Sequence, residues 1–163
     1  MCGMSIESLS HDIDFITSLL GKVSHVGAAV SGTVPSLPAY DNNISASLSL
    51  RSGCFATIAA SWSSALPYNC KTLIGTKGTL SLYGDAIWDF SMAKAAFSDG
   101  TQWQTELNDI FLDGTAYQAE NDYFISCILE DRQPHCDARA GRETLEVSLA
   151  ILRSNKERQA VSL

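Results

Sequence analysis

The sequence predicts an α+β fold, a large, mostly antiparallel open β-sheet with helices packed on one face. Three observations predict it. Apolar residues recur at three- and four-residue spacing near both ends of the chain, they alternate with polar residues through the middle, and the middle segments are joined by links short enough only for antiparallel neighbours. At 163 residues, with 45% hydrophobic and 18% charged content, the chain can bury a core as a single domain without disulfides or a structural metal.

Residues 5–20 set Ile6, Leu9, Ile13, Ile16, Leu19 and Leu20 on one helical stripe, with Gly21 as a stop. Residues 23–34, rich in Val, Ala and Gly, read as a strand leading into an exposed loop that holds Pro35, Pro38 and Asp41-Asn42-Asn43. From Ile44 the alternation is strict: Ile44, Ala46, Leu48 and Leu50 face one way, and Ser45, Ser47, Ser49 and Arg51 the other. Ser52-Gly53 turns the chain into residues 54–62, completing a hairpin. Further strands are expected at 71–76, 79–83, 86–97 and 101–107, separated by Lys77-Gly78, Gly84-Asp85 and Ser98-Asp99-Gly100. Helical spacing returns with Tyr117, Phe124, Ile125, Ile128 and Leu129 and, beyond Pro134, with Leu145, Leu149, Ile151 and Leu152. Residues 160–163 would add an edge strand.

A net charge of −7 and scattered basic residues argue against a nucleic-acid partner. No apolar stretch approaches the roughly 20 residues of a membrane span, and Met1 is not followed by a signal-peptide pattern, so a cytoplasmic location is expected. Five cysteines at irregular spacing, without a CxxC pair, read as reduced thiols, Cys54 and Cys127 among them as core residues. A dinucleotide-binding unit needs alternating β–α–β segments and a glycine-rich turn, and no two of the eleven glycines stand as Gly-x-Gly. The expectation is that this chain has no Rossmann domain and binds no cofactor by itself.

Chemistry concentrates at one place. Glu7, His11 and Asp14 stand at i, i+4 and i+7 on the first helix and project within roughly 40° of one another. A histidine flanked by carboxylates suits proton abstraction from a hydroxyl, because one partner fixes the tautomer and stabilises the imidazolium. The same spacing also describes a solvated helix face, to which Ser8 and Asp12 belong. His25 falls in a strand pattern, and His135-Cys136-Asp137 lacks the second ligand pair that tetrahedral zinc requires, so no metal site is expected. Trp62, Trp88 and Trp103 fall in predicted strands. With Phe55, Phe90 and Phe97 they make the sheet face opposite the helices a candidate oligomer interface.

The segment from Glu7 to Gly21 (acidic residue, three positions, His, two positions, Asp, then an apolar run ending Leu-Gly) resembles the helix that opens the C-terminal domain in the family of glucose-fructose oxidoreductase and inositol dehydrogenase. Ala60-Ser61-Trp62, the run from Ile74 to Leu80, Tyr117-x-x-Glu120 with Phe124 and Pro134, Leu149-Ala150-Ile151 and the closing Val161-Ser162-Leu163 agree in order, so the resemblance spans nearly the whole chain. It implies a dihydrodipicolinate reductase-like C-terminal domain. Its two-domain parent would hold NAD or NADP on an N-terminal Rossmann domain that also supplies a catalytic lysine. By position, His11 matches the histidine that exchanges a proton with a sugar or cyclitol hydroxyl. Glu7 stands where an Asp usually helps hold that hydroxyl, one methylene longer here. Asp14 matches the acid that follows, with substrate contact and orientation of His11 both open.

Three functional readings follow. The first is a substrate-binding and oligomerisation domain of an NAD(P)-dependent oxidoreductase acting on a sugar or cyclitol, inactive alone because the hydride acceptor belongs to the cofactor. The second is a non-catalytic dimeric binding or scaffold module, and the third a cofactor-free acid/base enzyme using the same helix.

Overall fold

The computed structural model describes residues 3–33, 40–85, 90–107 and 115–163. The Pro35 and Pro38 loop, Trp88 and the start of the 86–97 strand lie outside these residues. The fold is α+β, and every ladder among the described strands is antiparallel. The strands divide between two four-stranded sheets, in two compact units: Met1–Ser64 with His135–Leu163, and Ala65–Pro134.

The first unit contains α1 (Met4–Glu7), α2 (Leu9–Leu20), β1 (Val23–Ser31), β2 (Asn43–Leu50), β3 (Phe55–Ser61), α4 (Ala138–Glu157) and β8 (Val161–Ser162), with strand order β3-β2-β1-β8. The single helix expected over 5–20 is divided at Ser8, and Gly21 ends it at a φ of 92°, a positive value that side chains rarely adopt. Strict alternation in β2 gives the expected result: Ile44, Ala46, Leu48 and Leu50 are buried and Ser45, Ser47 and Ser49 exposed. Ile44, Ala46 and Leu48 of this row meet Leu9 and Ile13 of α2 and Val147 and Ile151 of α4 in one core, with α4 packed on β1, α1 and α2. Helical spacing foretold α4, but its buried face runs through Thr144, Val147, Ser148, Ala150, Ile151 and Ser154, while Leu145 and Leu149 are exposed.

Edge strand β8 covers only His25 and Val26 of β1. Farther along that edge, α4 satisfies the strand's free donors: Ser154 Oγ accepts from the Ala28 N–H at 3.0 Å, and Asn155 Oδ1 from the Val30 N–H at 2.8 Å. Ser154 also donates to the Gln159 carbonyl at 2.7 Å, tying the helix end to the segment that becomes β8.

The second unit is a meander of β4 (Asn69–Gly75), β5 (Gly78–Gly84), β6 (Met92–Phe97) and β7 (Gln102–Glu106), followed by α3 (Thr115–Leu129). Cross-strand register gives this sheet one polar row, Thr72, Ser81, Lys94 and Gln104, and on the opposite face an apolar row, Leu73, Leu80, Ala95 and Trp103. A shallow open depression of ≈ 410 Å³ lies on the polar side, lined in part by Tyr83, Lys94, Gln102 and Gln104. In α3, Cys127 is buried, whereas Tyr117, Phe124, Ile125, Ile128 and Leu129 are exposed. The helical spacing of those five residues therefore foretold a helix but not its buried side. Cys54 corrects another expectation, because it is exposed: the β2–β3 ladder ends at Ser49 and Phe55, leaving Cys54 in the turn. Trp62 falls one residue beyond β3 rather than within it. Among the described residues, no helix is long and apolar enough to cross a membrane.

Candidate active site

Glu7 is the last residue of α1, and His11 and Asp14 lie on the first turns of α2, so the three expected residues occupy one short stretch of the first unit. All three are exposed, while Leu9 and Ile13 of the same stretch are fully buried. Burial of the alternate face orients the helix and leaves the acidic-imidazole-acidic stripe on its outside. The stripe crosses the α1–α2 joint at Ser8, whose carbonyl accepts the His11 N–H at 3.3 Å.

The helix start is held by residues that local sequence reasoning passed over. Asp41, read only as part of a loop, clamps α1: its backbone carbonyl accepts the Met4 N–H at 2.9 Å, and its carboxylate accepts the Ser5 N–H at 2.6 Å and the Ser5 hydroxyl. Ser5 is fully buried. Gly3 caps the helix because a Cβ there would overlap the Asp41 carboxylate. Next to Asp41, fully buried Asn42 accepts at Oδ1 from the Thr33 N–H at 2.9 Å and from Asn43 Nδ2 at 2.7 Å. Asn43 Oδ1 in turn accepts from Ser61 at 2.5 Å and Ser63 at 2.9 Å.

This polar network closes the end of the sheet and reaches the site through Trp62. The Trp62 backbone N–H donates to the Asn42 carbonyl at 2.8 Å, and the indole Nε1–H donates to Ser8 Oγ at 3.1 Å. Ser8, read as part of a solvated face, is thus bound from across the unit. Glu7 is flanked by two fastened residues, Ser5 and Ser8, with His11 one turn beyond the second. The sequence places Asp41-Asn42-Asn43 in an exposed loop, whereas Asn42 is fully buried and Asn43 begins β2. The hydrogen-bonding amide and carboxylate side chains of that triplet and the tryptophan closing Ala60-Ser61-Trp62 are the local traces of the network.

His25 is exposed on β1, with Nδ1 3.2 Å from the Ser24 hydroxyl. Beside His135 and Cys136, Asp137 serves as the N-cap of α4, accepting from the Arg139 and Ala140 N–H groups at 2.9 Å each. Those bonds, the one from Ala140 foremost, hold the Asp137 carboxyl below the usual carboxylate range. Among the described residues, no three His, Cys, Asp or Glu side chains gather as a metal-binding group.

The whole chain, residues 1–163, matches the family described as the oxidoreductase family, C-terminal alpha/beta domain. No curated protein matches the sequence. Among solved structures, levoglucosan dehydrogenase in complex with NADH and levoglucosan superimposes with a TM-score of 0.84 at 16% identity, covering 99% of this chain and 50% of that one. Aldose-aldose oxidoreductase from Caulobacter crescentus, complexed with glycerol, gives 0.80 at 22% identity over 99% of this chain and 48% of its own. An oxidoreductase from Agrobacterium radiobacter in complex with NAD+, L-tartaric acid and magnesium gives 0.83 at 14% identity, covering 96% of this chain and 48% of that one. The chain therefore spans about half the length of the solved proteins it resembles.

Proposed function

From the premise that this chain belongs to the oxidoreductase family as its C-terminal alpha/beta domain, we propose that it is the substrate-binding and oligomerisation half of an NAD(P)-dependent oxidoreductase acting on a sugar or cyclitol hydroxyl. The observation that carries the reading is the exposed stripe of Glu7, His11 and Asp14 across the α1–α2 joint, fastened at both sides of Glu7 by the bonds to Ser5 and Ser8. A fastened acid/base group loses little freedom when it meets its substrate. In this reading, His11 takes the proton of the reacting hydroxyl, Glu7 accepts a hydrogen bond from the substrate, and Asp14 orients His11 or contacts a further hydroxyl. A nicotinamide would receive the hydride. Among the described residues the ladders are antiparallel and none closes a β–α–β unit to hold it, so in this reading a separate dinucleotide-binding domain would supply it, and the chain alone, in the cytoplasm, would catalyse nothing.

The aromatic residues expected to share one interface face do not: Phe55 lies on the first sheet, Phe97 and Trp103 on the second, Trp62 beyond β3, and Trp88 outside the described residues. Oligomerisation in this reading therefore uses the face of the first sheet away from its helices. Small residues dominate that face, with Gly27, Ser47 and Thr57 in one cross-strand row and Ala29, Ser45 and Ala59 in the next. Such a surface is flat enough to take a second sheet.

Calorimetry of the chain with NAD should show no binding, and micromolar affinity would overturn the assignment of the cofactor to another domain. Titration with sugars and cyclitols should show binding that His11→Ala and Glu7→Gln each weaken. Binding indifferent to both substitutions would favour the scaffold reading.

A further inference from the structure

We propose that Trp62 is the floor of the polyol site and selects ring-shaped over open-chain substrates, an inference that rests on the reading of Glu7 and His11 given above. Trp62 is tethered at two points, by its backbone N–H to Asn42 at 2.8 Å and by its indole N–H to Ser8 at 3.1 Å. It nevertheless keeps 37% of its surface exposed. The indole's one polar group is already satisfied, so the surface it offers is aromatic carbon. An exposed, restrained aromatic surface beside polar groups is the composition of a small-molecule site.

The tether fixes where that surface lies. Ser8 adjoins Glu7 in the chain and is three residues before His11, which puts it about 60° from His11 around the helix axis. The indole therefore reaches the α1–α2 joint at Ser8, between the two residues assigned to the reacting hydroxyl. A cyclitol or pyranose carries its hydroxyls around a rim and presents C–H bonds on its faces. Laid on the indole, it buries a C–H face and leaves the rim for Glu7 and His11. An open-chain polyol has no flat C–H face and loses rotational freedom at every C–C bond it orders. Trp62 thus adds affinity for rings and little for chains, a discrimination the carboxylate and imidazole cannot make, since both ligands carry the same hydroxyls.

The test is an NMR titration of the full chain with myo-inositol and, separately, with D-sorbitol, an open-chain polyol of equal hydroxyl count. The native protein is compared with Trp62→Phe, Trp62→Ala, Ser8→Ala and His11→Ala, and the indole signal missing from Trp62→Phe identifies Trp62. Myo-inositol should shift that signal, and Trp62→Ala should weaken its binding about tenfold while changing D-sorbitol affinity by no more than about twofold. Trp62→Phe, aromatic but without the N–H donor, should retain most of the ring preference. A general loss of structure would weaken both ligands alike, so the ratio of the two affinities separates stacking from scaffolding. Equal effects of Trp62→Ala on both ligands, or an unmoved indole signal while α1 and α2 respond, overturn the stacking proposal and leave the polyol reading standing. No response anywhere in the chain to either polyol overturns both.

Discussion

Gly3, Ser5 and Asp41 show how much of the site hangs on single atoms. The Asp41 carboxylate fills the space where a side chain at residue 3 would begin and takes two donors from a serine with no access to water. Asp41→Ala leaves the buried Ser5 donors without an acceptor and should destabilise the protein by about 1–3 kcal/mol. Gly3→Ala should cost a similar amount, about 1–3 kcal/mol, because its Cβ displaces the same carboxylate. Urea unfolding of both variants measures the cost, and a midpoint unchanged from the native protein would contradict the clamp. Both substitutions should also weaken polyol binding, since they free the helix segment that ends at Glu7.

Helix α4 acts as the fastening element of the first unit. Its apolar face fills the core through Val147 and Ile151, and its end supplies Ser154 and Asn155 to donors that β8 is too short to reach. Ser154→Ala keeps the helix but strands the Ala28 N–H, with an expected loss of about 1–3 kcal/mol in urea unfolding. Ile151→Ala should cost about 2–5 kcal/mol, whereas Ile128→Ala on the exposed side of α3 should stay within about 0.5 kcal/mol of the native protein. The α4 N-cap gives a pH test whose sign is fixed. The folded Asp137 carboxyl is held below its ordinary range, so it protonates less readily folded than unfolded. Its contribution is complete above the ordinary carboxylate value and is lost as pH falls through the depressed folded one. Asp137→Asn still caps the helix but does not titrate, and urea midpoints followed from neutral to strongly acidic pH should fall less steeply than in the native protein. An identical acid limb would remove Asp137 from the account.

For the molecule as a whole, the proposed association through the first sheet makes a direct prediction. Light scattering should find a dimer or larger assembly, and Ser47→Lys with Thr57→Lys, adjacent charges on the centre of the small-residue face, should yield monomers that remain folded. A native protein that is already monomeric would sink the interface.

What the sequence determined alone is whatever leaves a local periodic trace. The alternation of residues 44–50, the turns at Ser52-Gly53 and Ser98-Asp99-Gly100, and the spacing of Leu9 and Ile13 were enough for the α+β class, the antiparallel order and the helical stretch of Glu7, His11 and Asp14, though not for its division at Ser8. Spacing foretold α3 as a helix yet not its burial, because periodicity marks an apolar stripe without saying what covers it. Only the tertiary structure decided that Asp41 grips Ser5 and that Trp62 binds Ser8, contacts bridging 36 and 54 residues. Hydrogen bonds between segments so far apart obey the geometry of the folded backbone, and that geometry imposes no repeat on the residues that make them.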